Sequence, residues 1–351
     1  MVSSGSWTGS SAITAGLLSA VASPLAPRLL GDRDRRKVLA AAMIVLALGN
    51  VLTAVADGFA MLMIARVVLG IGMGVVWGMA SAIAARLVAP RSVALAVSFA
   101  LGGVASASVL GVPLGTVVGN AFGWRVAFAV LAALAVLVAA GLIFLLPVLG
   151  RRGGTAPGPR RSLARPSVIT GLIVVGLVVM AHFAAYTYIR PALETLSGLT
   201  ATSIAGLLLL YGVFGLIGNL TAGFAAGRRP VVTVLLLSGG ITVALVVFAF
   251  FGRSGVVAGI AVALWGAAYG GLSVSGQLWV TAAEPDRSEH VTGVYVGVFT
   301  AAIALGAAAG GWVIKSVGVV ALLLSASALA LGAGFVGIVG RGPTRGSGVV
   351  R

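Results

Sequence analysis

Apolar positions along this chain neither alternate with polar ones nor recur on one helical face; they run on. Eleven apolar runs, near 20 residues or longer, follow one another at about 11–30, 38–56, 59–85, 92–120, 125–148, 168–189, 200–225, 231–252, 255–282, 291–314 and 318–340. About 20 residues of helix, rising ~1.5 Å each, cross the roughly 30 Å of membrane hydrocarbon. Membrane strands alternate polar and apolar positions, and these runs do not. Each run predicts a spanning helix, so the fold class is an all-α membrane protein. The longest connection, 150–167, holds Gly, Pro and five Arg. It predicts a flexible linker between a half-bundle of five helices (1–149) and one of six (168–351).

Composition agrees. The 351 residues are 60% hydrophobic and 9% charged, whereas soluble domains are about 45–50% apolar and about 25% charged. This excludes a soluble enzyme, a disordered tail and a soluble nucleic-acid binder. The formal charge of +16 therefore needs another meaning. Numbering the connections alternately puts eighteen of the 23 basic residues on one side; four (Arg125, Arg190, Arg253 and Lys315) fall on the other, and Arg66 lies within a run. The positive-inside rule makes the first side, with the C-terminus, cytoplasmic. The Gly/Ser-rich start has no basic region of a secretory signal. With no Cys, neither a disulfide framework nor a Cys-based metal site is available. No cofactor or metal is expected.

The chain also repeats itself. Gly111-Val-Pro-Leu-Gly115 in the fourth run and Gly306-Ala-Ala-Ala-Gly310 in the tenth are 195 positions apart, as are Arg33 and Arg228. Two halves in parallel order follow. The same offset puts the partner of the sixth run ahead of Met1, so a six-plus-six architecture is expected whose first helix this chain lacks.

Candidate chemistry lies on the polar residues inside the runs. Arg66, Gly70, Gly74 and Gly78 form a stripe four apart. An intramembrane Arg is costly and faces a bundle interior or water cavity, holding either an acid, a solute or water, or else backbone carbonyls. Gly103, Gly111, Gly115 and Gly119 share a face of the fourth run, and Pro113 predicts a kink there. Tyr211, Gly215, Asn219, Gly223 and Gly227 make a further stripe, in which Asn219 needs a partner, interhelical or solute. His182, Tyr186 and Arg190 share a face of the sixth run; His182 is a proton carrier, a solute ligand or a hydrogen-bonded neutral His. Tyr188 and Tyr269 are donor candidates. Trp265, Tyr269 and Gln277 are cavity candidates, with a lipid-facing Trp265 as the alternative. The seven carboxylates, Asp32, Asp34, Asp57, Glu194, Glu284, Asp286 and Glu289, all fall in connections or at run edges. No buried proton-carrying acid of the usual kind is in view.

Four stretches resemble the major facilitator superfamily, specifically its twelve-helix drug:proton antiporters and sugar-efflux (arabinose-efflux-like) branch. Gly31-Asp-Arg-Asp-Arg-Arg-Lys37 is similar to the loop after the family's second helix, with shorter spacing and without a Gly among the basic residues. Leu62-Met-Ile-Ala-Arg66-Val-Val-Leu-Gly70-Ile-Gly-Met-Gly74 resembles the helix-four motif, with Leu69 where a polar residue is usual. Gly111, Pro113 and Gly115 resemble the efflux motif of helix five. Ala181-His-Phe-Ala-Ala-Tyr-Thr-Tyr-Ile-Arg-Pro191 resembles the helix-seven end of the sugar-efflux branch.

The resemblance implies a multi-pass monomer in the plasma membrane, surrounded by lipid, with no nucleic-acid partner. Its halves would rock around a central cavity to export a drug, sugar or metabolite against inward proton movement. It also implies gating or packing roles for Asp32, Arg33, Arg35, Arg36, Gly70, Gly74, Gly111, Pro113, Gly115, Gly306 and Gly310. The alternatives are a chain that does not transport without its first helix, and an importer of the same fold.

Overall fold

The computed structural model describes residues 16–26, 33–107, 111–149 and 165–340, and every regular element among them is a helix. In order they are α1 (Gly16–Ala26), α2 (Arg35–Ala54), α3 (Phe59–Arg86), α4 (Val93–Ser106), α5 (Val112–Phe122), α6 (Trp124–Leu145), α7 (Pro166–Tyr186), α8 (Ile189–Ser197), α9 (Ala201–Ala226), α10 (Pro230–Phe251), α11 (Gly255–Ala283) and α12 (Ser288–Val339). Eight of these are long and apolar enough to cross a membrane. The stretch of α12 covers the tenth and eleventh runs, which meet at Gly318 (φ 88°, ψ −179°).

Local chemistry sets the helix ends. Asp34 caps α2 by accepting from the Arg36 N–H at 3.0 Å, and Thr200 caps α9 by accepting from the Ser203 N–H at 3.3 Å. Such caps satisfy N–H groups that the helix itself cannot. Pro166 and Pro230 open α7 and α10, where a missing N–H costs nothing.

One sequence expectation changes here. The fourth run is described as α4 and α5 on either side of residues 108–110, which lie outside the described residues, so the kink expected at Pro113 falls on a stretch that is not described. The sixth run stops at Tyr186, and a separate short helix, α8, carries Arg190. Arg190 pairs with Glu194 at 2.9 Å, one turn along α8, and so leaves the face shared by His182 and Tyr186.

The repeat reaches into backbone detail. Arg35 and Pro230 begin α2 and α10; Pro90 and Pro285 begin two 3-10 turns; Val93 and Ser288 begin α4 and α12. Gly123 and Gly318 share φ 88° at the break before the last helix of each half. Every pair is 195 positions apart. A positive φ is accessible to Gly without steric cost, which explains why the same residue stands at both breaks.

Packing is less symmetric. The largest buried cluster belongs to α7–α12, while α1–α6 hold smaller ones. Gly306 and Gly310 lie on α7: a Cβ added to them would come within 3.0 Å of Met180 Cα and 2.8 Å of Ala184 Cα. Their repeat mates Gly111 and Gly115 have nothing within 4 Å of that position, and the same holds for Gly103 and Gly119. Within the described residues, the small face of the fourth run is open and that of the tenth is closed. Elsewhere the surface is apolar, with Leu236, Phe250, Leu331 and Phe335 more than half exposed, as a lipid-facing surface requires. A hollow of about 470 Å³ between α2 and α6, lined by Ile44, Leu48, Val51, Ala132 and Val136, has no polar anchor and belongs to that surface.

Candidate functional site

Five of the sequence candidates converge where α7, α9 and α11 meet. Tyr269, His182, Tyr186 and Tyr211 form a staggered column of rings. Centroids are 3.3 Å apart from Tyr269 to His182, 5.0 Å from His182 to Tyr186 and 4.7 Å from Tyr186 to Tyr211, with interplanar angles of 7°, 21° and 33°. Trp265 stands edge-on to three of them, 5.5 Å from His182 and 6.0 Å from Tyr186 and Tyr211. Phe183 closes another side, edge-on to His182 at 4.8 Å. Four-residue helical spacing puts His182 with Tyr186, and Trp265 with Tyr269, on single faces, and the crossing of the helices brings those faces together. Close crossing of α9 and α11 depends on Gly: a Cβ on Gly271 would sit 2.9 Å from the Gly218 carbonyl oxygen.

Trp265 is 1% exposed, which removes its lipid-facing alternative. Its indole N–H donates to His182 Nδ1 at 3.0 Å, and His182 is itself 1% exposed. The Tyr211 hydroxyl is buried and has no hydrogen-bond partner among the described residues. Tyr188, two residues after Tyr186 and beyond the end of α7, donates its hydroxyl to the Ala307 carbonyl at 3.0 Å and is thereby committed to structure.

The remaining candidates lie elsewhere. Asn219, two turns along α9 from Tyr211, donates to the Ser98 carbonyl of α4 at 2.8 Å. Gln277 of α11 donates through Nε2 to the Ser81 hydroxyl of α3. Both bonds join the two halves, as does the edge-on contact of Trp77 with Phe299 at 5.4 Å. Arg66 stays within the first half: half-buried, it stands 5.9 Å from the Phe128 ring centroid, and its Nε has no hydrogen-bond partner among the described residues.

Toward the end rich in basic residues the seam is bolted by charge. Glu289, in the first turn of α12, accepts through Oε2 from Arg35 Nε at 3.1 Å, with Arg35 Nη2 in ion-pair contact at 3.0 Å, and through Oε1 from Arg86 Nη1 at 3.0 Å. The Arg35 side chain is 2% exposed. Arg35 also donates to the Arg33 carbonyl. Arg36 instead pairs with Asp34 at 3.2 Å and donates to the Ile143 carbonyl. Asp34 lies outside the spans. Burial pulls its carboxyl up, but the Leu149 and Arg36 amides and the Arg36 guanidinium outweigh that and hold it below the usual range. Asp32, grouped with these residues by sequence, lies outside the described residues.

Sequence reasoning did not single out Ser81, Ser98, Arg86 or Glu289 as a group. Glu289 is 254 positions from Arg35 and 203 from Arg86, so no local pattern links them. The available signal was scarcity: in a chain with seven acids, one beside a helix start opposite basic loops has few alternative uses.

Residues 3–307 match the family model described as Major Facilitator Superfamily. The chain is 32% identical over 303 residues to the purine ribonucleoside efflux pump NepI of Shigella sonnei (strain Ss046), covering 85% of this chain and 76% of that protein. The NepI pump of Escherichia coli (strain K12) matches with the same identity and coverage. Among solved structures, the human organic anion transporter MFSD10 (TETRAN) superposes with a TM-score of 0.74 at 22% identity, covering 95% of this chain and 83% of that one. The Escherichia coli fucose:proton symporter FucP superposes with a TM-score of 0.75 at 14% identity, covering 95% and 92%.

Proposed function

The chain belongs to the major facilitator superfamily, and from that premise we propose that it exports a purine nucleoside, or a close planar analogue, by alternating access in exchange for inward protons. Its homologues are membrane transport proteins, not enzymes. The observation that carries the choice of solute is the ring column of Tyr269, His182, Tyr186 and Tyr211. A planar base stacks on such rings face to face, and a sugar alone does not use them as fully. The 32% identity to a purine ribonucleoside efflux pump supports the same reading. No carboxylate lies in the column, so a neutral solute fits it better than a cationic one.

In this reading the basic end is cytoplasmic, with the C-terminus, because positive charge is retained on that side. The chain works as a monomer in the plasma membrane, its apolar flanks against lipid. The two halves are joined in sequence by residues 150–167. Glu289 with Arg35 and Arg86, and the Asn219–Ser98 and Gln277–Ser81 bonds, hold the cytoplasmic end shut; solute release faces outward. Separation of these contacts opens the opposite state.

The test is accumulation of radiolabelled adenosine and guanosine in cells lacking their own exporters. Cells expressing the chain should retain less of both, and dissipating the pH gradient should abolish the difference. Equal retention with and without the chain refutes export, and higher retention indicates import. Tyr186→Leu should raise KM about three- to ten-fold, since an aromatic pair is worth about 0.5–1.5 kcal/mol beyond its area.

A further inference from the structure

The hydrogen bond between Trp265 and His182 decides what this buried histidine can do. An indole N–H is a donor and never an acceptor. It meets His182 Nδ1 at 3.0 Å, so that nitrogen must present a lone pair. A neutral imidazole has one N–H and one lone pair; with Nδ1 accepting, the proton is on Nε2. An imidazolium carries N–H on both nitrogens. Protonating His182 would therefore point two N–H groups at each other across 3.0 Å, and the bond would have to break.

No acidic group among the described residues pairs with a charge on this ring. The titratable groups facing the ring are Tyr186 from its own helix, Tyr211 from α9 and Tyr269 from α11, all donors or neutral acceptors. Among the described residues no carboxylate contacts His182, and the ring is 1% exposed.

We propose that Trp265 is a positioning residue that locks His182 in its neutral Nε2–H form, making it a fixed hydrogen-bond donor to the solute and excluding it as the carrier of the coupled proton. The Tyr211 hydroxyl, 8% exposed as a residue and unpartnered, is the second polar group of this site. Together the two groups fit a planar ring bearing hydrogen-bond acceptors at its edge, such as the ring nitrogens of a purine. The donor role toward solute rests on the proposed export of purine nucleosides; the locked tautomer does not.

The chain has two histidines, so 15N-histidine labelling with a His290→Gln variant isolates His182. Reconstituted protein should show the neutral Nε2–H pattern of nitrogen shifts from pH 8 down to pH 5.5, with no imidazolium. In Trp265→Phe the ring is released, and an imidazolium or a mixture of tautomers should appear within that range. An imidazolium at pH 5.5 in the parent overturns the lock, and that spectrum decides the matter even if Trp265→Phe fails to fold. A Trp265→Phe spectrum unchanged from the parent also overturns it. In proteoliposomes, KM for adenosine and guanosine should be level between pH 5.5 and 7.5 in the parent and vary at least three-fold in Trp265→Phe. A parent KM that follows an imidazole titration refutes the fixed-donor role. Absence of nucleoside transport with an intact nitrogen pattern refutes the solute assignment and leaves the lock standing.

Discussion

Glu289→Gln tests the proposal that charge holds the basic end shut. In the parent, one carboxylate takes two hydrogen bonds and one further ion-pair contact from two guanidinium groups belonging to α2 and α3. Removing one partner of a buried ion pair costs about 3–5 kcal/mol, chiefly because the other charge stays buried. Arg35, 2% exposed, is such a charge. Two features favour the lower figure: Glu289 is 19% exposed, and the Arg33 carbonyl still accepts from Arg35. About 3 kcal/mol at roughly 1.4 kcal/mol per decade is a shift on the order of 100-fold toward the state open at this end. The chain has no Cys, so Val97→Cys provides a single reporter. Val97 is 3% exposed and packs with Ala226, Val274 and Leu278 across the seam. Labelling by a membrane-impermeant maleimide from the basic side, in vesicles of known orientation, should be slow with Glu289 and accelerate about 100-fold with Gln. The fully open rate sets the ceiling. A rate unchanged within two-fold would refute the claim that this cluster, and not the apolar seam alone, holds the closed state.

The repeat mates offer a matched test of packing. Gly310→Ala should lower stability in detergent by about 1–3 kcal/mol through overpacking on Ala184, while Gly115→Ala, facing open space, should stay within about 0.5 kcal/mol; equal shifts in Tm would contradict the asymmetry. Gly123→Ala and Gly318→Ala each place a Cβ at φ 88° and should cost about 1–3 kcal/mol, read from thermal unfolding. Asp34→Ala should lose about 1 kcal/mol of capping at pH 7. Because the folded Asp34 carboxyl lies below its usual range, that contribution is present above the unfolded pKa of about 3.9 and fades only as pH falls through the lower folded value, so the gap to the parent should be constant from pH 8 to pH 5. By contrast Asp57→Asn should change Tm little, since the Asp57–Arg125 pair is 90% and 53% exposed and such pairs contribute under about 1 kcal/mol.

The runs of apolar residues determined the helices because a bilayer leaves the backbone few alternatives: every N–H and C=O must bond internally over about 20 residues. The offset of 195 was equally legible, and it recurs in helix starts, 3-10 turns and the two glycines of positive φ. Helix faces were legible wherever a helix was unbroken, which is why His182 and Tyr186 were paired in advance; Trp265 and Tyr269 were grouped only as cavity candidates, together with Gln277. Arg190 was grouped wrongly with His182 and Tyr186 because the helix ends at Tyr186, and no apolar count reports a break that short.

Partners across helices were another matter. Asn219 and Gln277 carried the same polar signal as the ring residues, yet their bonds go to Ser98 and Ser81 on the other half. The Trp265–His182 bond and the Glu289 cluster likewise join residues 83 to 254 positions apart. Within one helix the 3.6-residue period fixes which side chains are neighbours; between helices only the crossing of the helices does so. The sequence by itself determined the spans, the repeat and the charged side. The tertiary structure decided which rings stack, which nitrogen of His182 accepts, and which acid bolts the halves together.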